Sequence, residues 1–369
     1  MENIWQTVFY CSEEKIIENI INKIKIKDRI MKILITGSAG FISGYLVEQL
    51  LERGHTIIGI DNYSKYGILE KSYDNHPNFT KINGDVKDVN LMKNLIEDCD
   101  QIVAIAAMIG GITYFHEYAY DLLAENEKII ASTFDSAIWA FKNKKLKKIN
   151  VLSSSMVFES TSNYPTKEGE QFKCPPPLST YGFQKLACEY FTKGAYEQYK
   201  LPYTIIRPFN CVGIGERRAK NEKEINSGNV KLAMSHVVPD LVQKVLKGQD
   251  PLHILGSGNQ IRHYTYGGDL ARGICVCIEN EKAINNDFNI STAESTTVKE
   301  LASLIWKKIN GDKPLTFISD TPYQYDVQKR VPSVEKAKNI LGFEAKTTLS
   351  EMLDEVIPWI KEQIEFGNI

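Results

Sequence analysis

A tyrosine and a lysine four residues apart, Tyr181 and Lys185, are the side chains best suited to chemistry in this sequence. On a helix this spacing places both on one face, one turn apart. A tyrosine hydroxyl has an ordinary pKa of about 10, but a nearby ammonium group favours the phenolate, so the tyrosine becomes a usable base. Ser153 to Ser155 follow a hydrophobic strand pattern at 149–152 and could hold the oxygen that loses its proton. Such a trio suits the oxidation of an alcohol.

A tyrosine–lysine pair also occurs by chance on exposed amphipathic helices, so a second motif is needed to give it meaning. Residues 32–36 have the pattern of a short buried strand and lead into a Gly-Ser-Ala-Gly turn, followed by a helical period. Gly37 permits the tight turn, and Gly40 lets the backbone approach a pyrophosphate at the helix N-terminus. Phe41 and Ile42 open that helix and are expected to contact the same group. The motif predicts an α/β fold with a doubly wound parallel sheet.

The next predicted strand, 56–60, ends in Asp61 and Asn62. A carboxylate at this position can receive the ribose hydroxyls of an adenosine. Because an acid repels a 2′-phosphate, NAD is favoured over NADP as the cofactor. Lys65 is close enough in sequence to leave that preference open.

Composition and charge exclude several classes of function. The 369-residue chain has a formal net charge of −2 and no long basic run, so nucleic acid is not an expected partner. No stretch is long enough to cross a bilayer, and the start of the chain lacks the compact apolar run of a signal peptide. The cysteines show neither Cys-x-x-Cys spacing nor a companion histidine cluster, which predicts reduced thiols in the cytoplasm and no metal site. They are Cys11, Cys99, Cys174, Cys188, Cys211, Cys275 and Cys277, of which the last two are expected in the core.

The chain begins with an extension, residues 1–30, ahead of what reads as the natural start of a domain at Met31. Ser12 could cap a helix there, because the isoleucines that follow have a helical period. We predict a helical extension docked against the main domain or a neighbouring subunit; a disordered leader is the alternative. The isoleucines are Ile16, Ile17, Ile20, Ile21 and Ile24.

Residues 31 to about 359 resemble the extended short-chain dehydrogenase/reductase family, in its NAD-dependent nucleotide-sugar epimerase and dehydratase branch. The family pattern is a Gly-x-x-Gly-x-x-Gly loop, in which Gly37 and Gly40 fill the first two places. Ser43 occupies the third place and Gly44 comes one position late. A small serine should be tolerated there, although it could alter how the first helix meets the sheet.

The resemblance implies a role for further residues. It makes Ser154, Tyr181 and Lys185 the catalytic serine, tyrosine and lysine. Asp85 and Val86 resemble the turn that holds the adenine, although Asp85 could be an ordinary turn residue. The resemblance also assigns Ala106 and Ala107, at the end of a small-residue strand, to the cofactor. Tyr181 and Lys185 are expected to contact the cofactor as well. The residues that the resemblance assigns to the substrate are Ser155, Met156, Asn210, Lys231, Arg262 and Arg330, the two arginines being the expected diphosphate ligands.

The family fold, a Rossmann sheet with a smaller substrate domain, implies a division of the chain. Residues 31–209 would bind NAD, with a later segment at about 263–292 returning to the same domain. Residues 210–369 would mainly bind the nucleotide sugar. The helix that carries Tyr181 commonly pairs with its symmetry mate in this family, which implies a homodimer. Further helices are expected at 237–247, 334–341 and 349–360, with Gly342 ending the second of them.

The reaction depends on what happens to the 4-keto sugar formed by hydride transfer to NAD. Return of the hydride to its other face gives C4 epimerisation and needs only Ser154, Tyr181 and Lys185. A 4,6-dehydratase also needs an Asp-Glu pair just after the catalytic serine. This chain has Ser155 and Met156 there, and methionine cannot carry a proton. We therefore favour an NAD-dependent C4 epimerase of nucleotide sugars over a dehydratase.

Two further alternatives stay open. Residues 110–112 resemble GDP-mannose 3,5-epimerases, but a cysteine is expected near Met156 in those enzymes, and Lys231 supports the assignment only weakly. The segment Gly111 to Glu117, with Tyr114, could also line the sugar pocket, and His116 or Glu117 could supply an acid or base, or these could be polar residues that open the next helix. A protein that binds NAD as a sensor without turnover is the remaining alternative, and the intact catalytic trio argues against it.

Overall fold

The computed structural model describes residues 30–109, 118–217, 225–232, 236–322 and 327–369. The predicted N-terminal helix and the segment 110–117 lie outside these residues. The strands are β1 Lys32–Thr36, β2 Thr56–Asp61, β3 Phe79–Asn83, β4 Gln101–Ala104, β5 Lys148–Leu152, β6 Tyr203–Pro208, β7 Cys211–Val212, β8 Ile225–Ser227, β9 Val230–Leu232, β10 Leu252–Leu255, β11 Ile261–Arg262, β12 Thr265–Tyr266, β13 Asn286–Ile290, β14 Thr296–Thr297 and β15 Phe317–Asp320. The helices are α1 Phe41–Glu52, α2 Val89–Ile96, α3 Ala119–Asn143, α4 Thr180–Tyr199, α5 Val237–Leu246, α6 Gly267–Glu279, α7 Val298–Asn310 and α8 Leu349–Glu365.

Seven of the strands form one parallel sheet in the order β3-β2-β1-β4-β5-β6-β13. Leu34 of β1 lies between Ile58 of β2 and Ile102 of β4, which fixes the register at the centre. The chain leaves β1 in one direction and returns to its other side at β4. In open parallel sheets a crevice for ligands forms at such a reversal, beyond the carboxyl ends of the strands. The predicted doubly wound fold is confirmed.

Helices cover both faces of the sheet, as the continuous apolar strands require. On one face α1 and α6 pack on the sheet through residues such as Leu46 and Ile274. On the other face α2, α3 and α4 contribute residues such as Met92, Phe134 and Cys188. All five residues of β5 are buried. Because both faces are covered, the strand ends are held rigidly where the predicted catalytic residues follow them.

The chain makes a long excursion between β6 and β13, which are neighbours in the sheet. Strands of the excursion are short, and β12–β7 and β8–β9 form two-stranded pairs within it, while β11 pairs with β14, which follows β13. A separate core joins α5, α7 and α8 through Val242, Leu301 and Leu353. Part of the excursion and the chain that follows β13 therefore bury apolar surface together, apart from the parallel sheet.

Three details refine the sequence-based expectations. Strand β4 ends at Ala104, so the small residues at 105–107 continue the chain beyond the strand. The expected helix near 334–341 includes a π-helical turn, Ala337–Leu341, which ends at Gly342 with a left-handed φ of 67°. Cys275 and Cys277 are buried on α6, as predicted. Among the helices of the described residues, none has the length and apolar character needed to cross a membrane.

Candidate active site

The serine, tyrosine and lysine that carry the predicted chemistry converge beyond the end of β5. Ser154 lies two residues beyond the end of this strand and directly precedes a short 3₁₀ helix, Ser155–Phe158. Tyr181 and Lys185 lie in the first two turns of α4, and all three side chains are buried. The Lys185 ammonium donates a 3.0 Å hydrogen bond to the carbonyl of Leu152, the last residue of β5. This bond ties the catalytic helix to the strand that supplies the serine.

The Ser154 hydroxyl is oriented by a backbone N–H two residues further along the chain. Its Oγ accepts a 3.2 Å hydrogen bond from the Met156 backbone N–H. Because this bond uses an oxygen lone pair, the hydroxyl hydrogen of Ser154 remains available to a substrate oxygen.

The N-terminus of α4 packs tightly against the 3₁₀ helix. Ser179 caps α4 by accepting a 3.0 Å hydrogen bond from Gly182 N–H. The Glu159 carboxylate in turn accepts hydrogen bonds from the backbone N–H and the hydroxyl of Ser179, at 3.1 and 2.5 Å. A Cβ on Gly182 would lie 2.6 Å from Pro177 Cβ and 2.9 Å from the Met156 carbonyl oxygen. Glycine at 182 is therefore required for α4 to approach this closely.

Met156 has apolar surroundings. It packs with Tyr181 and Leu122, and the partly buried Ile109 and Val327 lie against this cluster. No proton can be carried by a thioether. At this position the site therefore offers an apolar surface and no group that can transfer a proton.

The glycine turn after β1 lies against the end of β4. Gly37 has a left-handed φ of 70°, and a Cβ there would come within 2.8 Å of Ala106 Cα. The Thr36 hydroxyl oxygen accepts hydrogen bonds from the N–H groups of Ile105 and Ala106, both at 3.1 Å. A side chain at 37 would push these two strand ends apart, so the turn needs glycine for both its conformation and its packing.

The N-terminus of α1 fits the pyrophosphate of a dinucleotide. Gly40 caps this helix without a side-chain hydrogen bond, so the first-turn N–H groups face the turn uncapped. Asp61 accepts the Ala39 N–H at 3.0 Å and the Tyr63 N–H at 2.7 Å, one on each carboxylate oxygen. Ser43 is buried at the third place of the loop, so the small residue expected to be tolerated there is accommodated. These observations fit an NAD site on β1, α1 and β2.

Other predicted cofactor residues lie at the neighbouring strand ends. The Asp85 carboxylate accepts the Lys87 N–H at 2.9 Å, as an ordinary turn residue does. Val86 is buried, and its carbonyl accepts a 2.6 Å hydrogen bond from the Ser132 hydroxyl. Asn62 accepts the N–H of Ser64. Contacts of Asp85, Val86 and Asn62 with an adenosine remain predictions.

The two predicted diphosphate ligands lie side by side. Ile261 forms a β-bridge with Lys329, and the Arg330 N–H donates a 3.1 Å hydrogen bond to the Ile261 carbonyl. Arg262 and Arg330 therefore lie on neighbouring backbone segments of the same chain. Both guanidinium groups act on the buried Tyr264. Burial raises the pKa of its hydroxyl, and the charges of Arg262 and Arg330 oppose that rise. The sequence places these arginines 68 positions apart, and the fold places their backbone segments next to each other.

The remaining predicted substrate residues are spread more widely. Asn210 has a left-handed φ of 37° and donates a 3.4 Å hydrogen bond to the His263 carbonyl. Ser155 lines a small cleft with Arg330. Lys231 is exposed on β9, whose carbonyl at 231 accepts from Gln243 of α5. A substrate contact of Lys231 remains a prediction.

Sequence reasoning missed two residues that support the site. Glu159 holds the cap of α4, and Asn126 of α3 is paired with both backbone groups of Met108, at 2.7 and 2.8 Å. Asn126 is buried on a helix face that is otherwise apolar, which is the signal that could have drawn attention to it. Glu159 lies in a loop and depends on contacts distant in sequence, so no local pattern indicates it.

One match to a known family covers most of the chain. The model of the NAD dependent epimerase/dehydratase family matches residues 33–291. The chain belongs to this family. Membership confirms that the chain is an enzyme and that its cofactor is NAD, and it agrees with the glycine turn and Asp61 described above.

Relatives of this epimerase/dehydratase span nearly the whole chain. An uncharacterized UDP-glucose epimerase of Bacillus subtilis is 28% identical over 344 residues, covering 89% of this chain and 98% of the relative. A UDP-N-acetyl-α-D-glucosaminuronate decarboxylase of Bacillus cytotoxicus is 27% identical, covering 89% and 97%. The crystal structure of UDP-glucose 4-epimerase from Thermotoga maritima, with UDP-glucose, is 26% identical and covers 90% and 100%, with a TM-score of 0.75. The full-length match confirms the predicted fold.

Replacement of Gly182 by alanine should impair catalysis more than folding. The added Cβ meets Pro177 and the Met156 carbonyl, so the start of α4 must move away from Ser154. A displacement near 1 Å is expected to lower turnover by about 100-fold. Turnover and melting temperature of the variant, compared with the parent enzyme, would measure this.

Gly194→Ala on the same helix is the matched control. A Cβ there meets nothing within 4 Å, and the residue is exposed. This variant should keep full turnover and gain up to about 1 kcal/mol of stability from the better helix former. Equal losses of turnover in the two variants would contradict the packing argument.

Proposed function

We propose that this NAD-dependent enzyme epimerises a nucleotide sugar at C4 through a transient 4-keto intermediate. The convergence of Ser154, Tyr181 and Lys185, beside a methionine where a dehydratase needs an acid, carries the proposal. These three residues suffice to move the proton of one hydroxyl. In the described residues, the apolar cluster around Met156 adds no second acid or base there.

When bound, NAD accepts a hydride from C4 of the sugar and returns it. Tyr181, as the phenolate, takes the proton of the O4 hydroxyl while that hydride leaves. Ser154 donates its hydroxyl hydrogen to O4, and this holds the oxygen in place during the transfer. Lys185 lowers the cost of the phenolate with its ammonium charge, while one of its N–H donors stays on Leu152. The 4-keto sugar then presents its other face, and Tyr181 gives the proton back to O4.

The substrate class follows from the arginine pair and from the relatives. Arg262 and Arg330 lie on neighbouring backbone segments, where their two guanidinium groups can each donate paired hydrogen bonds to a diphosphate. The relatives found by sequence and the solved structure described above are all named for UDP-sugars. We therefore expect a UDP-hexose as substrate, with Ser155, Met156, Asn210 and Lys231 as further substrate contacts.

We infer a division of labour along the chain. Residues 31–209, together with about 263–292, would hold NAD, and 210–369 would mainly hold the nucleotide sugar. The separate core of α5, α7 and α8 supports this division, as does the return of β13 to the sheet.

A panel of UDP-, GDP-, CDP- and dTDP-sugars in deuterated water tests the proposed reaction. A C4 epimer without carbon-bound deuterium is the expected product, because the hydride returns from the cofactor and never exchanges with solvent. Proton NMR of the products identifies both the sugar and the position of any label. Deuterium at C3 or C5, a 4-keto-6-deoxy product, or loss of a carboxyl group from UDP-glucuronate would contradict C4 epimerisation.

Tyr181→Phe provides the matched negative variant for the panel. It removes the hydroxyl that carries the proton, so conversion should fall by at least about 100-fold while NAD stays bound. Tyr190→Phe, an exposed tyrosine of the same helix, should leave conversion unchanged. Survival of a cellular effect in Tyr181→Phe would favour a sensor over an enzyme.

We further propose a homodimer formed through α4. This helix exposes Phe183, Tyr190 and Phe191, and such aromatic side chains are typical of an interface. Tyr190→Glu should shift the enzyme toward the monomer in light scattering, because a carboxylate is costly in an apolar interface. Phe366→Glu, at an exposed position after α8, is the control that should leave the mass unchanged. A monomeric parent enzyme would overturn the proposal.

We place the enzyme in the cytoplasm. The six cysteines of the described residues form no disulfide, as is usual in a reducing compartment. Cell fractionation against a cytoplasmic marker tests this, and recovery outside that fraction would contradict it.

A further inference from the structure

A buried ion pair lies behind the catalytic helix. Arg207 of β6 and Glu189 of α4 are both fully buried. Arg207 donates from Nε to one Glu189 oxygen at 2.7 Å and from Nη2 to the other at 2.8 Å. This two-point geometry fixes orientation as well as distance, because both N–H···O bonds must form together.

The same carboxylate also holds two other parts of the chain. Glu189 accepts a 2.6 Å hydrogen bond from the Ser153 hydroxyl and a 2.9 Å bond from the Gln171 amide. Ser153 directly precedes the catalytic Ser154, and Glu189 lies one helical turn beyond Lys185. Four bonds to one side chain thus join α4 to β6, to the end of β5 and to the short helix Glu170–Phe172.

The outer end of the network reaches β13 and a cavity. Arg207 Nη2 also pairs with Asp287 at 2.8 Å, and Asp287 pairs with Lys336 at 2.7 Å. Burial opposes ionisation of Asp287, but Arg207 and Lys336 hold its pKa below the ordinary value. A cavity of about 530 Å³ is lined by Asp287, Lys336 and Glu168. The inner end, at Glu189, has no such opening because it is fully buried.

Stability alone is a weak explanation for this arrangement. The cost of removing two charges from water often equals or exceeds their attraction, so a buried pair can commonly be replaced by apolar residues without loss of stability. What the pair supplies, and an apolar contact does not, is a defined position of α4 along the strand ends. Lys185 and Ser154 depend on that position, since Lys185 reaches Leu152 at the end of β5.

We propose that Glu189 and Arg207 are positioning residues that fix the depth of α4 against β5 and β6, and thereby the placement of Tyr181 and Lys185 relative to Ser154. The proposal rests on the proposed function for its catalytic consequence, but not for its structural one. Neither side chain touches the reacting atoms. Both act through the helix and the strand end that carry the catalytic groups.

The central test compares Glu189→Gln, Arg207→Met and the double variant. Arg207→Met leaves the buried Glu189 carboxylate without a cation and should lower the melting temperature strongly, whereas Glu189→Gln leaves Arg207 its pair with Asp287 and should lower it less. The double variant removes both charges, while Asp287 keeps Lys336, so its melting temperature should recover most of the loss. Its kcat should nevertheless remain about 100-fold low, at nearly unchanged KM and full NAD content, because the helix is no longer held at its depth.

A conservative variant and a surface control complete the kinetic experiment. Arg207→Lys keeps the charge but loses the fork, so kcat should fall even if the fold is intact. Arg53→Met removes an exposed pair with Glu279 and should leave kcat and KM unchanged. Full kcat in the double variant or in Arg207→Lys overturns the proposal, as does a rise in KM at unchanged kcat.

A crystal structure of the double variant, or of Arg207→Lys if the double variant does not fold, separates this proposal from the assigned reaction. The distance from Lys185 Nζ to the Leu152 oxygen, 3.0 Å in the parent enzyme, should lengthen as α4 shifts. An unchanged distance would overturn the positioning role whatever the substrate is. If the sugar panel shows no conversion but the helix has shifted, the proposed function fails and the positioning role stands.

Discussion

Helix α4 begins against the backbone of the 3₁₀ helix at 155–158, and the width of this gap decides whether Tyr181 and Ser154 can act on the same oxygen. Gly182 makes the approach possible, because any side chain there would meet Pro177 and the Met156 carbonyl. Glu159 and Ser179 hold the helix start from one side. The bond from Lys185 to Leu152 holds it one turn further on. The catalytic geometry is thus the result of packing at a helix N-terminus as much as of the catalytic residues themselves.

The sequence predicts the parts of the molecule that depend on local patterns. The run of β1, the glycine turn and the apolar period of α1 are contiguous, so the cofactor half could be predicted closely. Only the resemblance to a family predicts that Arg262 and Arg330 belong to one site, and the fold places them on neighbouring backbone segments. Glu159, Asn126 and Glu189 were not predicted, because their roles depend on partners outside their own local segments. Polar residues on apolar helix faces are the one local sign that such partners exist.

Shared chemistry at the serine, tyrosine and lysine does not decide the product. Epimerases and decarboxylases both occur among relatives of similar identity to this chain. Each such reaction can begin with the same proton leaving one hydroxyl, and the difference lies in the groups that face the rest of the sugar. Met156 is proposed to be one such position, and its surroundings, which include Leu122 and Ile109, are apolar. The surroundings of the sugar ring, more than the trio, therefore separate one member of the family from another.

The long excursion between β6 and β13 starts and ends on neighbouring strands, which pair from Thr204 and Asn286 onward. Because β6 and β13 are parallel, the chain leaves the sheet at the carboxyl end of β6 and returns at the amino end of β13, so the two ends of the excursion lie on opposite edges of the sheet. The excursion must therefore cross the sheet before it can end, and α6 makes this crossing by packing on one face through residues such as Ile274. Because α5 of the excursion shares a core with α7 and α8, which follow β13, a chimeric enzyme would have to take the excursion and the C-terminal helices from the same relative.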